Sequence, residues 1–286
     1  MTTHPSASST HSTPFLEAQN VSVGYADRQV IENLSTSLER GKVTALVGPN
    51  GSGKSTLLKS LARLLPISSG VVYLDGKAIQ KLPSQQVARE LAILPQGPSA
   101  PRGLTVAELV EQGRFPHVGA LRMLKHQDHE AVKTALELTN MTHYANRSLD
   151  ALSGGERQRA WLALTLAQDT ELLLLDEPTT FLDVGYQLEV LELVERLNKE
   201  RHMTVVLVLH DLNQAASYSE RMLVLQQGKI VADGSPHEVM TPELLLRVFK
   251  VHVNIVNDPA TGQPVCLPYK VARSHTNSQH AQQQVG

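Results

Sequence analysis

With 286 residues, 41% of them apolar, the chain has material for one large domain or two moderate ones around a sizeable core. Its 26 basic and 28 acidic residues leave a formal net charge of −2, so no global field directs it to nucleic acid or to an anionic membrane. A single cysteine, Cys266, excludes an intramolecular disulfide and a thiolate cluster, and the longest apolar runs, Leu172 to Leu175 and Val205 to Leu209, fall far short of the ~18 residues of a spanning helix.

Residues 1–14 are rich in Ser, Thr and His and lack the apolar and positive regions of a secretory signal, so a disordered tail is expected there. Phe15 to Val23 and Gln29 to Leu38 read as an antiparallel strand pair split by Gly24-Tyr25-Ala26-Asp27. Tyr25 at that turn is placed either to pack or to stack on a nucleotide base.

The apolar run Val43 to Val47 then enters Gly48-Pro49-Asn50-Gly51-Ser52-Gly53-Lys54-Ser55-Thr56, and Leu57 to Leu65 continues as a helix. Strand, glycine-rich turn and helix in this order are the context that the phosphate-loop pattern G-x-x-x-x-G-K-[ST] requires. Glycines bring successive N–H groups onto a polyphosphate, and the helix points its positive end at the same place. Lys54 is expected to neutralise the β- and γ-phosphates of ATP, and the Ser55 hydroxyl to ligate Mg²⁺.

After a break at Pro66 to Gly70 comes a strand to Gly76, a short helix over Pro83 to Glu90, and a buried strand Leu91 to Leu94 ending at Pro95-Gln96. Gly97 to Gly103 carries a cluster of prolines and glycines that marks a boundary. Thr105 to Gln112, Lys125 to Leu138 and Gly154 to Gln168 have helical apolar spacing, which gives a helical subdomain over 97–168 between two parts of a core, 15–96 and 169–270. His126 and His129 share a helical face there and read as solvated rather than metal-binding. The last of these helices opens at Ser153-Gly154-Gly155-Glu156, a second anion-binding cap. One ATP needs one phosphate cradle, so the second is expected to serve a nucleotide held by another copy.

Strand–helix alternation resumes with Glu171 to Leu175, whose carboxyl end carries Asp176-Glu177-Pro178. Acids at that end of a strand face the ligand crevice of an α/β sheet, where Asp176 is expected to hold Mg²⁺ through a water and Glu177 to orient and deprotonate an attacking water. A helix over Val184 to Glu200, a strand over Met203 to Leu209, a helix over Leu212 to Ser219 and a strand pair around Gln226-Gln227-Gly228 complete a mostly parallel sheet covered on both faces. Residues 271–286 read as a second disordered tail.

Taken with the phosphate loop and the Asp176-Glu177 strand, the run Leu152-Ser153-Gly154-Gly155-Glu156-Arg157-Gln158 resembles the signature of the ATP-binding cassette family. The resemblance spans residues 15 to about 250 and implies an α/β fold: a P-loop NTPase (RecA-like) core with an antiparallel β subdomain and a helical signature subdomain. It marks Gln96 as the residue linking Mg²⁺ to the helical insert, Asp183 in Thr180-Phe181-Leu182-Asp183 as the family's D-loop acid, His210 as the switch histidine contacting the γ-phosphate, and Tyr25 as the aromatic on adenine. It further implies an active ATPase working as a head-to-tail dimer of two copies, each closing Ser153 and Gly155 over the other's ATP.

Gly113-Arg114-Phe115-Pro116-His117, Pro178 to Asp183, His210 to Ala215 and the stretch Val253 to Pro268 resemble more narrowly the cassettes of iron-siderophore, haem and vitamin B12 importers. That resemblance implies a subunit on the cytoplasmic face of the cell membrane, bound to a transmembrane permease through the region Gln96 to His117 and served indirectly by an external substrate-binding protein. No nucleic-acid partner is expected. A soluble cassette ATPase acting on nucleic acid or ribosomes is the rival of another class.

Overall fold

The computed structural model describes residues 14–25, 28–118, 123–180 and 182–272. Nearly all of both expected tails, and Phe181 of the D-loop run, lie outside the described residues. In chain order the elements are β1 (Leu16–Tyr25), β2 (Arg28–Leu38), β3 (Val43–Val47), α1 (Lys54–Leu61), β4 (Ser69–Leu74), β5 (Lys77–Ala78), α2 (Ser84–Glu90) and β6 (Leu91–Leu94). The insert carries α3 (Val106–Glu111), α4 (Phe115–Val118), α5 (His126–Leu138) and α6 (Gly154–Ala167). There follow β7 (Leu172–Asp176), α7 (Val184–Arg201), β8 (Thr204–Val208), α8 (Leu212–Tyr218), β9 (Arg221–Gln226), β10 (Lys229–Gly234), α9 (Pro236–Val239), α10 (Pro242–Phe249), β11 (Val251–Asn257) and β12 (Pro264–Val271).

The central sheet has the order β10-β9-β3-β8-β7-β6, parallel throughout except for the antiparallel edge strand β10. Period-two alternation splits its side chains between two cores. Ala45, Val47, Leu173, Leu175, Val205 and Leu207 pack with α7, α8 and α10 on one face. Leu46, Leu172, Leu174, Val206 and Val208 pack on the other with α1 and with the antiparallel sheet β2-β1-β4-β5. Burial on both faces is why these strands read as unbroken apolar runs.

The insert has a third core of its own, built on Val106, Leu109, Val132, Met141, Ala160 and Ala163. Beneath it lies a buried ion pair, Arg114 Nε to Asp128 Oδ1 at 3.0 Å, with Arg114 Nη1 also donating to Ala167 O at 2.8 Å. Burial acts to raise the Asp128 pKa, but the Lys125 N–H and the Arg114 guanidinium together outweigh it and hold the carboxyl below its ordinary value. Stability from this pair is therefore fully present above the ordinary carboxylate pKa and is lost as pH falls through the depressed one. Asp128→Asn, which leaves the Arg114 charge buried and uncompensated, is expected to cost about 3 kcal/mol in urea unfolding at neutral pH and to flatten the acid limb. An unchanged acid limb would remove Asp128 as its source.

Two anchors fasten the insert to α2 and to the start of β6, the strand that leads into Gln96. Gln168 Nε2 donates to Ala88 O at 2.6 Å and Leu91 O at 2.9 Å, and Arg89 Nε donates to Pro116 O at 2.8 Å. His126 and His129 are exposed, and no group of three or more His, Cys, Asp and Glu side chains that could hold a metal ion occurs among the described residues.

Beyond the central sheet, β11 and β12 form an antiparallel hairpin with Ile255 opposite Cys266. It grips α8 through one side chain: Asn213 Oδ1 accepts from Cys266 N at 2.7 Å and Asn213 Nδ2 donates to Cys266 O at 3.2 Å. Strand β12 runs through Val271, one residue into the segment expected as a tail. Cys266 is buried, and burial pushes its thiol pKa up. No helix among the described residues is long and apolar enough to cross a membrane.

Candidate functional site

The turn between β3 and α1 has backbone that only glycine tolerates. Gly48 has φ 151, and a Cβ there would stand 2.1 Å from Leu225 O on the neighbouring strand. Gly53, with φ 104, occupies the cap of α1 in left-handed conformation. Those two conformations bend the loop back over the helix N-terminus, and Gly228 N, donating to Ser52 O at 2.9 Å, pins it from the β9–β10 turn.

Lys54 folds back over the loop, its Nζ donating to Gly48 O at 2.8 Å and Pro49 O at 3.2 Å. Burial pushes its pKa down while the carboxylates of Glu177 and Asp176 pull it up. A cavity of about 650 Å³ opens above, lined by the Asn50 to Thr56 stretch, Tyr25, Gln96, Glu177 and His210. Gly48 and Pro49 support it from behind through their carbonyls.

The carboxyl end of β7 delivers its two acids to different tasks. Asp176 is fully buried, with Oδ1 accepting the Ser55 hydroxyl at 2.8 Å. Its other oxygen, Oδ2, is buried with no hydrogen-bond partner, and burial pushes its carboxyl pKa up. Glu177 turns the chain with φ 55, which swings its side chain into the cavity. There Oε1 meets His210 Nε2 at 2.7 Å, and Oε2 accepts Gln96 Nε2 at 2.8 Å and the Thr180 hydroxyl at 3.3 Å. Gln96, Glu177 and His210 thus arrive from the ends of three adjacent parallel strands, β6, β7 and β8.

Two groups of expected site residues do not join this cavity. Ser153, Gly154 and Gly155 lie at the start of α6, where the Ser153 side chain accepts Glu156 N at 3.2 Å and the Glu156 carboxylate takes Ser153 N at 2.7 Å. Ser153 and Gly154 are exposed to solvent. Asp183 caps α7, with Oδ1 accepting Tyr186 N at 3.0 Å. Neither group lines the phosphate-loop cavity.

A family model described as ABC transporter matches residues 31–180, just over half of the chain. The chain belongs to the ABC transporter family. It is similar to the iron(3+)-hydroxamate import ATP-binding protein FhuC of Bacillus subtilis, 51% identical over 91% of this chain and 96% of that protein. The ferric enterobactin transport ATP-binding protein FepC of Escherichia coli is 45% identical over 94% of this chain and all of its own length (100%). The hemin import ATP-binding protein HmuV of Rhodococcus jostii is 39% identical over 90% of this chain and 87% of its own. Among solved structures, an ABC transporter described as metal-chelate type, in an inward-facing conformation, superposes with a TM-score of 0.77 at 28% identity, covering 90% of this chain and 98% of that one. A dimeric ATP-binding cassette bound to ADP and phosphate superposes with a TM-score of 0.69 at 26% identity, covering 77% and 98%.

The fold is that of an ABC ATPase cassette. Three residues at the phosphate-loop cavity escaped the sequence reading. Arg28 and Val30 line it, and Thr180 supports Glu177. Arg28 fell outside both strands as read, Phe15 to Val23 and Gln29 to Leu38; the structure extends the pair to Tyr25 and Arg28 and sets those two residues opposite each other. Thr180 had no signal of its own, since its bond depends on the left-handed turn at Glu177.

Proposed function

We propose that this chain is the ATP-hydrolysing subunit that energises import of an iron-siderophore through a separate membrane permease. The observation that carries the cargo class is that the relatives at 45–51% identity along about nine-tenths of the chain include import proteins for iron(3+)-hydroxamate, siderophore and ferric enterobactin. Support for turnover comes from the carboxylate of Glu177, held between Gln96 and His210 at the mouth of the phosphate-loop cavity.

In this reading Tyr25 stacks on the adenine, the loop Gly48 to Thr56 wraps the phosphates, and the Lys54 ammonium meets their charge. Glu177 aligns a water against the γ-phosphorus and takes its proton as the new P–O bond forms and the β–γ bridge breaks. His210 keeps the Glu177 carboxylate in place and faces the γ-phosphate. The site fits Mg²⁺: a hydroxyl and a carboxylate stand side by side, and the second oxygen of Asp176 is buried without a partner. Ser55, Asp176 and Gln96 would hold the ion, which would supply charge neutralisation on the β- and γ-phosphates.

Ser153, Gly154, Gly155 and Asp183 serve a second copy in a head-to-tail dimer. Their exclusion from the chain's own cavity and the dimeric solved relative support that arrangement. The permease places the chain at the cytoplasmic face of the membrane, and an external binding protein delivers the cargo.

The test is ATP turnover by the chain reconstituted in vesicles with its permease and binding protein. Ferric siderophore is expected to raise turnover, whereas stimulation by haem or vitamin B12 alone would overturn the cargo class. Stimulation by DNA or RNA without any vesicle effect would overturn the transport reading.

A further inference from the structure

Two consecutive side chains of α6 leave the insert and reach the core. Gln158 Nε2 donates to Pro178 O at 3.4 Å, directly after Glu177, and Arg159 lays its guanidinium 4.2 Å above the centroid of the Tyr186 ring on α7. Arg159 is only 8% exposed, and its buried Nε has no hydrogen-bond partner. Glu137, Glu189 and Glu192 line the same cleft of about 380 Å³, yet among the described residues Arg159 forms no ion pair. A buried guanidinium ordinarily takes a carboxylate or carbonyl in its planar fork; here a ring face receives it.

Tyr186 sits in the first turn of α7, where its N–H donates to Asp183. Beside it, Gln187 Nε2 donates to Leu182 O at 3.0 Å and Gln187 Oε1 accepts from Gln214 Nε2 at 2.9 Å, on α8. Helix α8 is capped by Asp211, the residue after His210, and His210 Nε2 closes on Glu177. An unbroken set of contacts therefore runs from the helix of the signature turn to the carboxylate at the γ-phosphate end of the cavity.

We infer that Tyr186, by holding Arg159, is a positioning residue that ties the signature helix to Asp183 and His210, so that what engages Ser153 to Gly155 bears on the alignment of Glu177 in the same chain. The inference rests on the ATPase reading above. Neither Tyr186 nor Arg159 lines the nucleotide cavity, so their effect falls on turnover and not on ATP affinity.

Steady-state ATP hydrolysis by the full-length chain, with KM and melting temperature measured alongside, tests it. Tyr186→Ala is expected to lower kcat about fivefold, the factor matching loss of one partly desolvated cation–π contact, with KM unchanged and the melting temperature lowered modestly because buried Arg159 loses its partner. Tyr186→Phe keeps the ring face and is expected to restore kcat, whereas Tyr186→Leu is not. Arg159→Gln should match Tyr186→Ala, and the double variant should be no slower than either, because both remove one contact. Wild-type turnover with an unaffected Tyr186→Ala overturns the inference alone, as do losses that multiply in the double variant or that follow KM, or full recovery of kcat in Tyr186→Leu. A wild-type chain without turnover overturns the ATPase reading and the inference with it.

Discussion

Glu177→Gln is expected to lower ATP turnover by about 10²–10⁴-fold while leaving ATP affinity within a few-fold of wild type, the range associated with loss of a positioned general base. The amide keeps the size of the side chain, and the left-handed turn at Glu177 that aims it is a backbone property the substitution does not touch. What it removes is an acceptor. Oε1 faces His210 Nε2, while Oε2 faces both the Gln96 amide and the Thr180 hydroxyl, so both oxygens of the native carboxylate are matched to donors. An amide has one acceptor oxygen for these three neighbours and no capacity to take a proton from water. Because ATP still binds and is not consumed, the variant is also expected to accumulate as the closed dimer, detectable by light scattering after ATP addition. Phosphate release within tenfold of wild type would strip Glu177 of its assigned role.

Lys54→Met is expected to weaken ATP binding by at least about 100-fold, because the loop then loses its one buried cation. The methionine retains the unbranched stem, so the packing beneath the loop survives. The native ammonium is held against Gly48 O and Pro49 O by two hydrogen bonds and is kept from the water that would otherwise stabilise it. A polyphosphate adds to the negative charge that Glu177 and Asp176 already direct at the lysine and lies against it directly, which is why ligand and lysine depend on each other. Nucleotide titration by fluorescence and the ATP-induced rise in melting temperature should both fail in the variant. A melting-temperature rise equal to that of wild type would show that the backbone N–H groups alone hold the phosphates.

What could be seen in the sequence was what is contiguous. The phosphate loop and the acids after Leu175 are runs of neighbours whose chemistry follows from order, and the glycine at 48 announces a backbone that no side chain fits. The union of Gln96, Glu177 and His210 is different in kind. Gln96 and Glu177 lie 81 residues apart, and nothing local to any of the three says that one carboxylate holds the other two; only the parallel order of β6, β7 and β8 does. For Ser153 the presence of a second phosphate cradle already pointed to another copy, whereas the role of Asp183 came from resemblance alone. The C-terminal hairpin was within reach. Val251 to Asn257 alternates, and Asp258-Pro259-Ala260-Thr261-Gly262 is turn chemistry, but treating the stretch only as part of an importer-like pattern hid the strands.

The position of β3 also sets a timetable. This strand, which launches the phosphate loop, is made more than 150 residues ahead of both of its neighbours in the sheet, β8 and β9. Until then it has no partner on either edge, and the carbonyl of Leu225 against which Gly48 is fitted does not exist. A ribosome-bound chain cut off before residue 200 therefore carries the complete glycine motif without the walls that shape it. The capacity to hold nucleotide arrives only once β8 and β9 have been made, and the grip of Asn213 on Cys266, which steadies the helix after His210, arrives later still.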